Sequence, residues 1–340
     1  MKNRKPKTAT MKDVAKYAGL SVGTVSKYIN GGDVKEKNKN KLDKAIHKLN
    51  FHVNNLARGL KNGRSKTIGV LIPSLDNYFC TNLVEHIENK LSEYGYGLLV
   101  SDYQDDSALE QKRLNSLAAR MVEGIVVVPS FKAGFNENII NSSQIPIVFV
   151  DRVFSQAHCD AVVIDNVSIS QKVTDYLLDK GHQRIAIILG PDSISTSKER
   201  KQGFIKAMND SQVEIIPEYV SSGHYSINHG FHATLDFLKL PRRPTAIFAT
   251  SFDLTLGMLK AINQKGISIP TDISVIGFDN LLFLSVFNPT LTIVEQPMQE
   301  ISDKVVELLL KRINTKNSFN PSINKMQARL IEGSSVMNCR

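Results

Sequence analysis

The sequence has few of the features that mark secreted, metal-binding or membrane proteins. Its three cysteines, Cys80, Cys159 and Cys339, are widely spaced and include no CxxC pair, so neither a disulfide framework nor a zinc site is indicated. We expect buried or inert thiols. The first ten residues, MKNRKPKTAT, lack an apolar stretch of signal-peptide length, and no later run approaches a membrane-spanning length. These absences predict a cytoplasmic protein with no membrane partner.

Signatures of nucleotide-dependent and hydrolytic enzymes are missing as well. No GxGxxG follows a strand-like run, no glycine-rich phosphate loop ends in Lys-Ser or Lys-Thr, and no Gly-x-Ser-x-Gly turn occurs. The eight histidines show no metal-ligand spacing. Nothing in the sequence indicates an enzyme, and we expect neither a cofactor nor a metal ion.

Positive charge, in contrast, is concentrated at one end of the chain. Residues 1–66 carry 17 Lys and Arg against four Asp and Glu, a net charge of +13, whereas the remaining residues carry 25 against 29. A segment that neutralises phosphates must gather cations where the polyanion lies. The segregation therefore favours a nucleic-acid-binding segment, although a disordered basic tail is an alternative at this stage.

From Lys66 onward, short β-branched runs alternate with helix-length segments. The predicted strands are 68–72, 97–100, 124–128, 146–150, 161–164, 184–189, 245–250 and 273–278. The predicted helices include 80–93, 107–120, 168–180, 198–209, 227–239 and 253–264. Strands that are apolar on both faces suit a parallel sheet covered by helices. Eight strands are too many for one compact six-stranded sheet, so we predict two α/β lobes with a ligand cleft between them.

The basic end contains a pattern of short helices. The sequence MKDVAKYAGLSVGTVSKYIN (11–30) reads as two helices separated by a turn at Gly19, with Ser21 placed to cap the second helix. Val22, Val25 and Ile29 fall on one stripe by which this helix is expected to pack, leaving Gly23, Ser26 and Lys27 exposed. A third helix, 37–49, would close a small core with Leu42, Ala45, Ile46 and Leu49. The arrangement is that of a helix-turn-helix, whose second helix enters the major groove.

The segment TMKDVAKYAGLSVGTVSKYING resembles the opening motif of the LacI/GalR repressor family nearly residue for residue. The resemblance implies that Val22, Gly23 and Lys27 occupy base-reading positions. It also implies phosphate contacts for four further residues, Thr10, Ser21, Thr24 and Asn30. Two positions depart from the family pattern, since Gly23 offers no side chain and Lys27 stands where Arg is frequent. Lys can still donate to guanine, without the two-pronged geometry of Arg.

The next segment, NNLARGLKNGRSKT (54–67), matches the hinge helix of that family. It is too short for a stable isolated helix, and Gly59 costs it about another 1 kcal/mol. In the family this segment folds in the minor groove where two subunits meet. The resemblance implies that Leu60 wedges between base pairs, with neighbouring contacts from Asn55, Leu56, Ala57 and Arg58. A plain interdomain linker is the alternative.

Residues 67–340 resemble the effector domain of the family, itself similar to periplasmic sugar-binding proteins. The matching stretches include IGVLIPSLDNYF, FVDRVF, VVIDN, KGHQRIAIILGP, ERKQGFIKAM, SVIGFDN and NPTLTIVEQP. Arg200 and Asp279 are the strongest ligand candidates by this resemblance, because a guanidinium fork and a carboxylate suit a polyhydroxylated sugar. The further candidates are Phe79, Asp151, Thr196, Phe252 and Gln296. For each of these residues a structural role is the alternative.

Three positions of this domain also depart from the pattern. Phe252 stands where an Asn is common, Tyr78 replaces a Pro, and Cys80 replaces a frequent aromatic residue. These departures exchange hydrogen-bonding capacity for aromatic surface. A sugar can stack on Phe252, so the class of ligand survives while its identity stays open.

The predicted organisation is α/β: a two-lobed periplasmic-binding-protein-like domain behind an N-terminal all-α helix-turn-helix domain. The expected boundaries are 1–53 for the DNA-binding domain, 54–66 for the hinge, and 67–340 for the effector and dimerisation domain. The N-lobe is predicted at about 67–163 and 293–325, and the C-lobe at about 164–292 and 326–340. The expected partners are pseudo-palindromic double-stranded operator DNA, a sugar-like effector and a second copy of the chain.

The predicted function is repression of carbohydrate genes, with an effector that shifts the population of lobe arrangements and so the folding of the hinge helices on DNA. Two alternatives stay open. One is a global carbon-catabolite regulator controlled by a phosphorylated carrier protein. The other is a sugar-binding transport protein, which would need an export signal and has no use for residues 1–66.

Overall fold

A computed structural model describes residues 9–29, 31–51, 64–130, 145–153, 159–279, 287–315 and 320–340. The chain divides into two compact units, Met1–Ser65 and Lys66–Arg340. No helix within the described ranges is long and apolar enough to cross a membrane.

The described residues of the first unit form three short helices, α1 (Met11–Ala18), α2 (Val22–Ile29) and α3 (Glu36–Lys48). Thr10 begins α1 with a capping box, because its hydroxyl accepts from the Asp13 backbone while the Asp13 carboxylate accepts from the Thr10 backbone. Gly19 ends α1 at a φ of 64°, the left-handed conformation that glycine adopts without strain. The predicted turn is therefore confirmed.

One small apolar cluster holds the three helices together. Six of its buried members lie on the three helices and the seventh follows α3. They are Val14, Ala15, Ala18, Val25, Leu42, Ala45 and Phe51. The stripe predicted for the third helix is confirmed, since Ile46 and Leu49 pack at the edge of this cluster. Phe51, which the sequence pattern did not identify, closes its end.

Within the described ranges of the second unit, twelve strands form two six-stranded sheets. The first sheet has the order β11-β5-β4-β3-β1-β2, and all its pairs are parallel. Its strands are β1 (Thr67–Ile72), β2 (Gly97–Asp102), β3 (Gly124–Val127), β4 (Ile147–Val150), β5 (Asp160–Ile164) and β11 (Ile323–Met326). It forms the core of what we call the first lobe.

The second sheet has the order β12-β10-β9-β8-β6-β7, in which the β10–β12 pair alone is antiparallel. Its strands are β6 (Ile185–Leu189), β7 (Val220–Ser222), β8 (Ala246–Ala249), β9 (Ser274–Phe278), β10 (Thr292–Glu295) and β12 (Arg329–Ile331). It forms the core of the second lobe.

Seven helices cover the described parts of the two sheets. The first lobe carries α4 (Tyr78–Ser92), α5 (Ser107–Ala119) and α10 (Met298–Asn314). The second lobe carries α6 (Asn166–Asp179), α7 (Ser195–Asp210), α8 (Ile227–Lys239) and α9 (Phe252–Gln264). The chain crosses between the lobes three times, after β5, after β10 and between β11 and β12. The predicted α/β class with an N-terminal helical unit is confirmed.

The eight predicted strands are all present, and four further strands were not predicted. Those four, β7, β10, β11 and β12, have three or four residues each, too few to show a period. The lobe boundary predicted at about residue 293 falls inside β10, which pairs with β9 of the second sheet. The chain therefore returns to the first lobe after Glu295 rather than before it.

Candidate functional site

The exposed face of α2 is the first candidate site. Ser21 caps this helix, because its hydroxyl oxygen accepts from the Thr24 backbone N–H at 3.2 Å and lies 2.9 Å from the Thr24 hydroxyl. Val22, Gly23 and Lys27 are all exposed at or after this cap. A Cβ added to Gly23 would meet no atom closer than 3.8 Å, so the space beside this backbone is open. The face can therefore approach a groove closely.

The packing stripe predicted for α2 was wrong at its first member. Val25 is fully buried, and Ile29 packs at the edge of the cluster, but Val22 is 44% exposed. Val22 begins an eight-residue helix and so lies beyond the edge of the small core. This exposure leaves an apolar side chain free for the base-reading role that the family resemblance implies.

The three helices also carry many exposed positive charges. The exposed lysines of the three helices are Lys12, Lys16, Lys27, Lys37, Lys39, Lys41, Lys44 and Lys48. Such a surface suits a polyanion. The predicted contacts at Asn30, Asn55, Leu56, Ala57, Arg58 and Leu60 lie outside the described residues.

The second candidate site is a cavity of about 440 Å³ between the two lobes of the second unit. It lies at the carboxyl ends of the parallel strands, the usual place for a ligand in such sheets. Every effector candidate predicted from the sequence lines it: Phe79, Asp151, Thr196, Arg200, Phe252, Asp279 and Gln296. Residues more than 200 positions apart are thus gathered around one space.

Arg200, on α7, is buried and held from several sides. Its Nε donates to Asn166 Oδ1 at 2.8 Å and one terminal nitrogen donates to the Thr250 carbonyl oxygen. Its guanidinium carbon lies 3.9 Å from the centroid of the Phe278 ring. These contacts fix the plane of the guanidinium group, so its remaining donors face the cavity in one orientation.

Asp279 follows β9 and has a φ of 72°. Its backbone N–H donates to the Val294 carbonyl, and its Oδ1 accepts from Gln296 Nε2 at 2.7 Å. Burial raises the pKa of Asp279 to about 6, against the opposing effects of the Gln296 hydrogen bond and the nearby Arg200 charge. At neutral pH this carboxylate is an acceptor with capacity left for a hydroxyl group.

The first lobe contributes a charged pair to the cavity wall. Asp151, at the end of β4 with a φ of 68°, accepts from Arg152 Nε at 3.2 Å. Arg152 also donates to the Pro129 carbonyl at 3.3 Å. Behind this pair, buried Glu110 accepts from the backbone N–H of Ser130 at 2.9 Å and from its hydroxyl. Burial raises the pKa of Glu110 despite these bonds.

Aromatic rings form much of the remaining wall. Phe79 comes from the first lobe, whereas Phe252 and Tyr225 come from the second. The Tyr225 hydroxyl lies 3.3 Å from the hydroxyl of buried Thr196. The cavity thus combines flat apolar faces with a few fixed donors and acceptors, which is typical of small-molecule sites.

The sequence pattern missed several residues that position this wall. Asn166 and Arg152 stand in stretches that were recognised, VVIDN and FVDRVF, and each holds one of the predicted residues in place. Tyr225 gave no signal, because it lies in a loop before α8 with no periodic pattern. Within the described ranges no group of three or more His, Cys, Asp and Glu side chains is placed to hold a metal ion.

Among the three cysteines, Cys80 lines the cavity. Cys80 and Cys159 are buried, as expected, and burial raises the pKa of the Cys80 thiol to about 12. Cys339 is exposed; it lies after β12, and its backbone N–H donates to the Lys180 carbonyl oxygen.

Two family descriptions match the chain. The model of bacterial regulatory proteins of the lacI family matches residues 10–54. The model of periplasmic binding proteins and sugar binding domain of the LacI family matches residues 65–332. The two matches follow the two units of the structure.

Named relatives extend over nearly the whole chain. The HTH-type transcriptional repressor PurR of Actinobacillus pleuropneumoniae serotype 3 (strain JL03) is 32% identical over 332 residues, which are 97% of this chain and 99% of the relative. Catabolite control protein A of Priestia megaterium is 30% identical over 324 residues, 94% of this chain and 97% of the relative.

Solved structures give the same result. The complex of the transcriptional regulator CelR with cellobiose has a TM-score of 0.73 at 26% identity, over 96% of this chain and 99% of that structure. The Lac repressor bound to ONPG in the repressed state has a TM-score of 0.83 at 25% identity, over 97% of this chain and 100% of that structure.

Proposed function

Since the chain belongs to the LacI family of bacterial regulatory proteins, and so is a DNA-binding transcriptional regulator, we propose that it is a repressor controlled by a sugar-like effector. The effector would bind in the cavity between the lobes and change the affinity for operator DNA. The observation that carries the proposal is the convergence of all seven predicted ligand residues on that one cavity. Both lobes contribute to it, so one ligand can bias their arrangement.

The charges of the cavity favour a neutral effector over a phosphorylated one. Its lining includes five aspartates, Asp76, Asp105, Asp151, Asp253 and Asp279, against two arginines. Both arginines already bind protein oxygens. A phosphate group would therefore meet an excess of carboxylates over guanidinium groups in a poorly solvated space. Hydroxyl groups can donate to these carboxylates without that repulsion.

The aromatic walls support the same class of ligand. The apolar C–H face of a sugar ring can pack on Phe252 or Phe79, while its hydroxyl edge reaches Asp279 and Arg200. The relative solved with cellobiose agrees with this class. We expect the genes under control to serve uptake or breakdown of the sugar that binds.

The mechanism is a shift in population rather than a chemical reaction. A ligand that favours one lobe arrangement by about 1–3 kcal/mol changes operator occupancy roughly 5- to 150-fold. A homodimer is expected, because one three-helix unit reads few base pairs and a two-fold operator doubles the contacts. Binding to chromosomal DNA places the protein in the cytoplasm.

A second function is favoured by the 30% identity to a protein named catabolite control protein A. In this alternative a phosphorylated carrier protein, rather than a sugar in the cavity, controls DNA binding. The two candidates predict different partners for the same protein. A phosphorylated carrier protein and a panel of free sugars therefore belong in the same experiment.

The test is selection of bound DNA from a random duplex pool, repeated with neutral sugars, the matching sugar phosphates, nucleobases and a phosphorylated carrier protein. We expect a palindrome whose binding weakens steeply with salt, because lysine contacts release counterions. We also expect at least one neutral sugar to change its affinity. Arg200→Lys, which loses the planar fork, serves as the cavity control and should retain the operator while losing the response.

Two results would contradict the proposal at different levels. If no duplex is enriched over bulk DNA, the regulatory function itself is wrong. If a palindrome is enriched but its binding changes only with a sugar phosphate or with the carrier protein, the chain is a regulator whose effector is not a neutral sugar.

A further inference from the structure

Two aromatic side chains from opposite lobes contact each other beside the effector cavity. Tyr78 is the first residue of α4 in the first lobe, and Phe252 is the first residue of α9 in the second. Their ring centroids are 5.6 Å apart, and their planes are inclined by 51°. Tyr78 also packs against the hydrophobic cluster of the second lobe. Its ring therefore bridges the lobes.

A hydrogen bond between the lobes accompanies this pair. Asn77 Nδ2 donates to Asp253 Oδ2 over 3.4 Å. The other end of the same amide caps α4, since Asn77 Oδ1 accepts from the Cys80 backbone N–H at 3.1 Å. Capping thus fixes the orientation of the amide and directs its NH₂ group towards Asp253, in the first turn of α9.

Two of these four residues, Tyr78 and Phe252, stand at positions where this sequence departs from its family. Tyr78 stands where its family frequently has Pro, and Phe252 stands where Asn is common. The structure brings these two departures into contact with each other. An aromatic pair that depends on both substitutions indicates that they act together.

We propose that Asn77, Tyr78, Phe252 and Asp253 form an interlobe latch that holds the second lobe against the first independently of effector. The contacts are made by protein atoms alone, so they do not require a bound effector. Asn77, Phe252 and Asp253 also line the cavity, which places the latch beside the bound ligand. A latch of this kind sets how much of the free protein is already closed, and hence the apparent affinity for effector.

The latch is tested by measuring the distance between the lobes in the full-length protein without effector. Spin labels would be attached at Lys112→Cys on α5 and Asn228→Cys on α8, two exposed positions, in a Cys339→Ser background. Electron–electron double resonance on labelled chains diluted into unlabelled protein reports the distance within one chain. We expect Phe252→Leu to lower the closed-to-open ratio by about 2- to 12-fold, the range that corresponds to one aromatic pair.

Tyr94→Leu is the matched control, because Tyr94 is a half-exposed aromatic residue of the first lobe outside the latch. It should leave the distance distribution unchanged. Tyr78→Phe retains the ring and should remain closed. Distributions that are the same for wild type and Phe252→Leu would overturn the latch.

Exchanging the amide and the carboxylate tests the hydrogen bond between Asn77 and Asp253, because the double variant should reverse the effect of the single one. Asn77→Asp keeps an oxygen to cap α4 but sets a second carboxylate against Asp253, so the lobes should open. Adding Asp253→Asn returns a donor on the opposite side and should restore the closed distance. Failure of the double variant to close would overturn the role of this hydrogen bond. All these readouts use free protein, so an error in the proposed effector would not alter them.

Discussion

At the scale of one residue, Asp279 shows that a buried carboxylate in the cavity lowers the stability of the folded protein at neutral pH. The residue is 8% exposed, and its carboxylate accepts hydrogen bonds from Gln296 and from the Phe252 backbone and lies near the charge of Arg200. The folded protein therefore binds a proton at Asp279 more tightly than the unfolded chain does, because the pKa rises from 3.8 to about 6. The unfolding free energy consequently falls as pH rises between these values. A group that is retained at such a cost is a candidate for binding a ligand.

We predict that Asp279→Asn stabilises the protein at neutral pH. Asn accepts the same hydrogen bond, tolerates the φ of 72° and carries no buried charge. The gain should be on the order of 2 kcal/mol at pH 7 and should vanish near pH 4, where the wild-type carboxyl is protonated. Thermal unfolding at a series of pH values measures it.

The same substitution should abolish the response to the effector, because an amide cannot accept hydroxyl hydrogens at both of its polar atoms. In the wild type the response should weaken as pH falls below about 6. Asp236→Asn, at an exposed position of α8, is the control and should change neither the stability nor the response to effector. A stabilised Asp279→Asn protein with an intact response would show that this residue is structural.

At the scale of elements, helix spacing determines where Arg200 lies. Gly203, one turn after Arg200 on α7, packs against α6 so closely that an added Cβ would lie 2.2 Å from the Val167 carbonyl oxygen. Asn166, which holds the guanidinium, begins that same α6. The contact between α6 and α7 thus places both partners of this hydrogen bond. Gly257 has the same relation to α8, where the Ile227 carbonyl oxygen would lie 2.1 Å away.

We predict that Gly203→Ala separates α6 from α7 and costs about 1–3 kcal/mol of stability, the usual effect of overpacking. Effector affinity should fall more than stability alone explains, because Arg200 moves relative to Asn166. Chemical denaturation and ligand titration measure the two effects. Gly97→Ala is the control, since nothing lies within 4 Å of its added Cβ. Equal, small effects of both variants would contradict the close-packing argument.

Elements differ in how far the sequence could predict them. Most of the eight apolar strands were predictable because strands buried on both faces leave uninterrupted β-branched runs. The edge strand β2 is only partly buried, and it was predictable because its first four residues, GLLV, are apolar. Strands β11 and β12, at the sheet edges, were not, because INKM and RLI are mostly exposed and carry no pattern. In the cavity, Arg200 and Asp279 followed from motifs. Tyr225 and the contact between Tyr78 and Phe252 depend on how loops and lobes meet, which spacing along the chain does not encode.

At the scale of the whole molecule, DNA recognition combines a folded unit with a segment read from the sequence alone. The folded unit contributes the capped α2 and the exposed lysines of the three helices. Leu60 and its neighbours are assigned by resemblance. The two contributions are separable, because lysine contacts act on any duplex whereas insertion between base pairs depends on the deformability of the site.

We predict that Leu60→Ala weakens binding to the selected operator more than to random DNA.

Lys27→Ala should reduce the discrimination between the operator and sites changed at the base that Lys27 contacts, by about 1–3 kcal/mol. Lys44→Ala, on α3, should lower both affinities alike and reduce the salt slope by about one. Titration of both duplexes at several salt concentrations measures these effects. Equal losses for Leu60→Ala on the two duplexes would reject the wedge.

The three crossings between the lobes have a consequence for synthesis of the protein. The first sheet gains its edge strand β11 at residues 323–326, and the second gains β12 at residues 329–331. Ser335, still later, receives a hydrogen bond from Thr292 and donates one to the Val275 carbonyl. Neither lobe can therefore finish folding until the ribosome has translated the codons of β11, β12 and Ser335. A nonsense codon shortly before residue 323 should deprive both lobes of an edge strand, although every other strand has by then been synthesised.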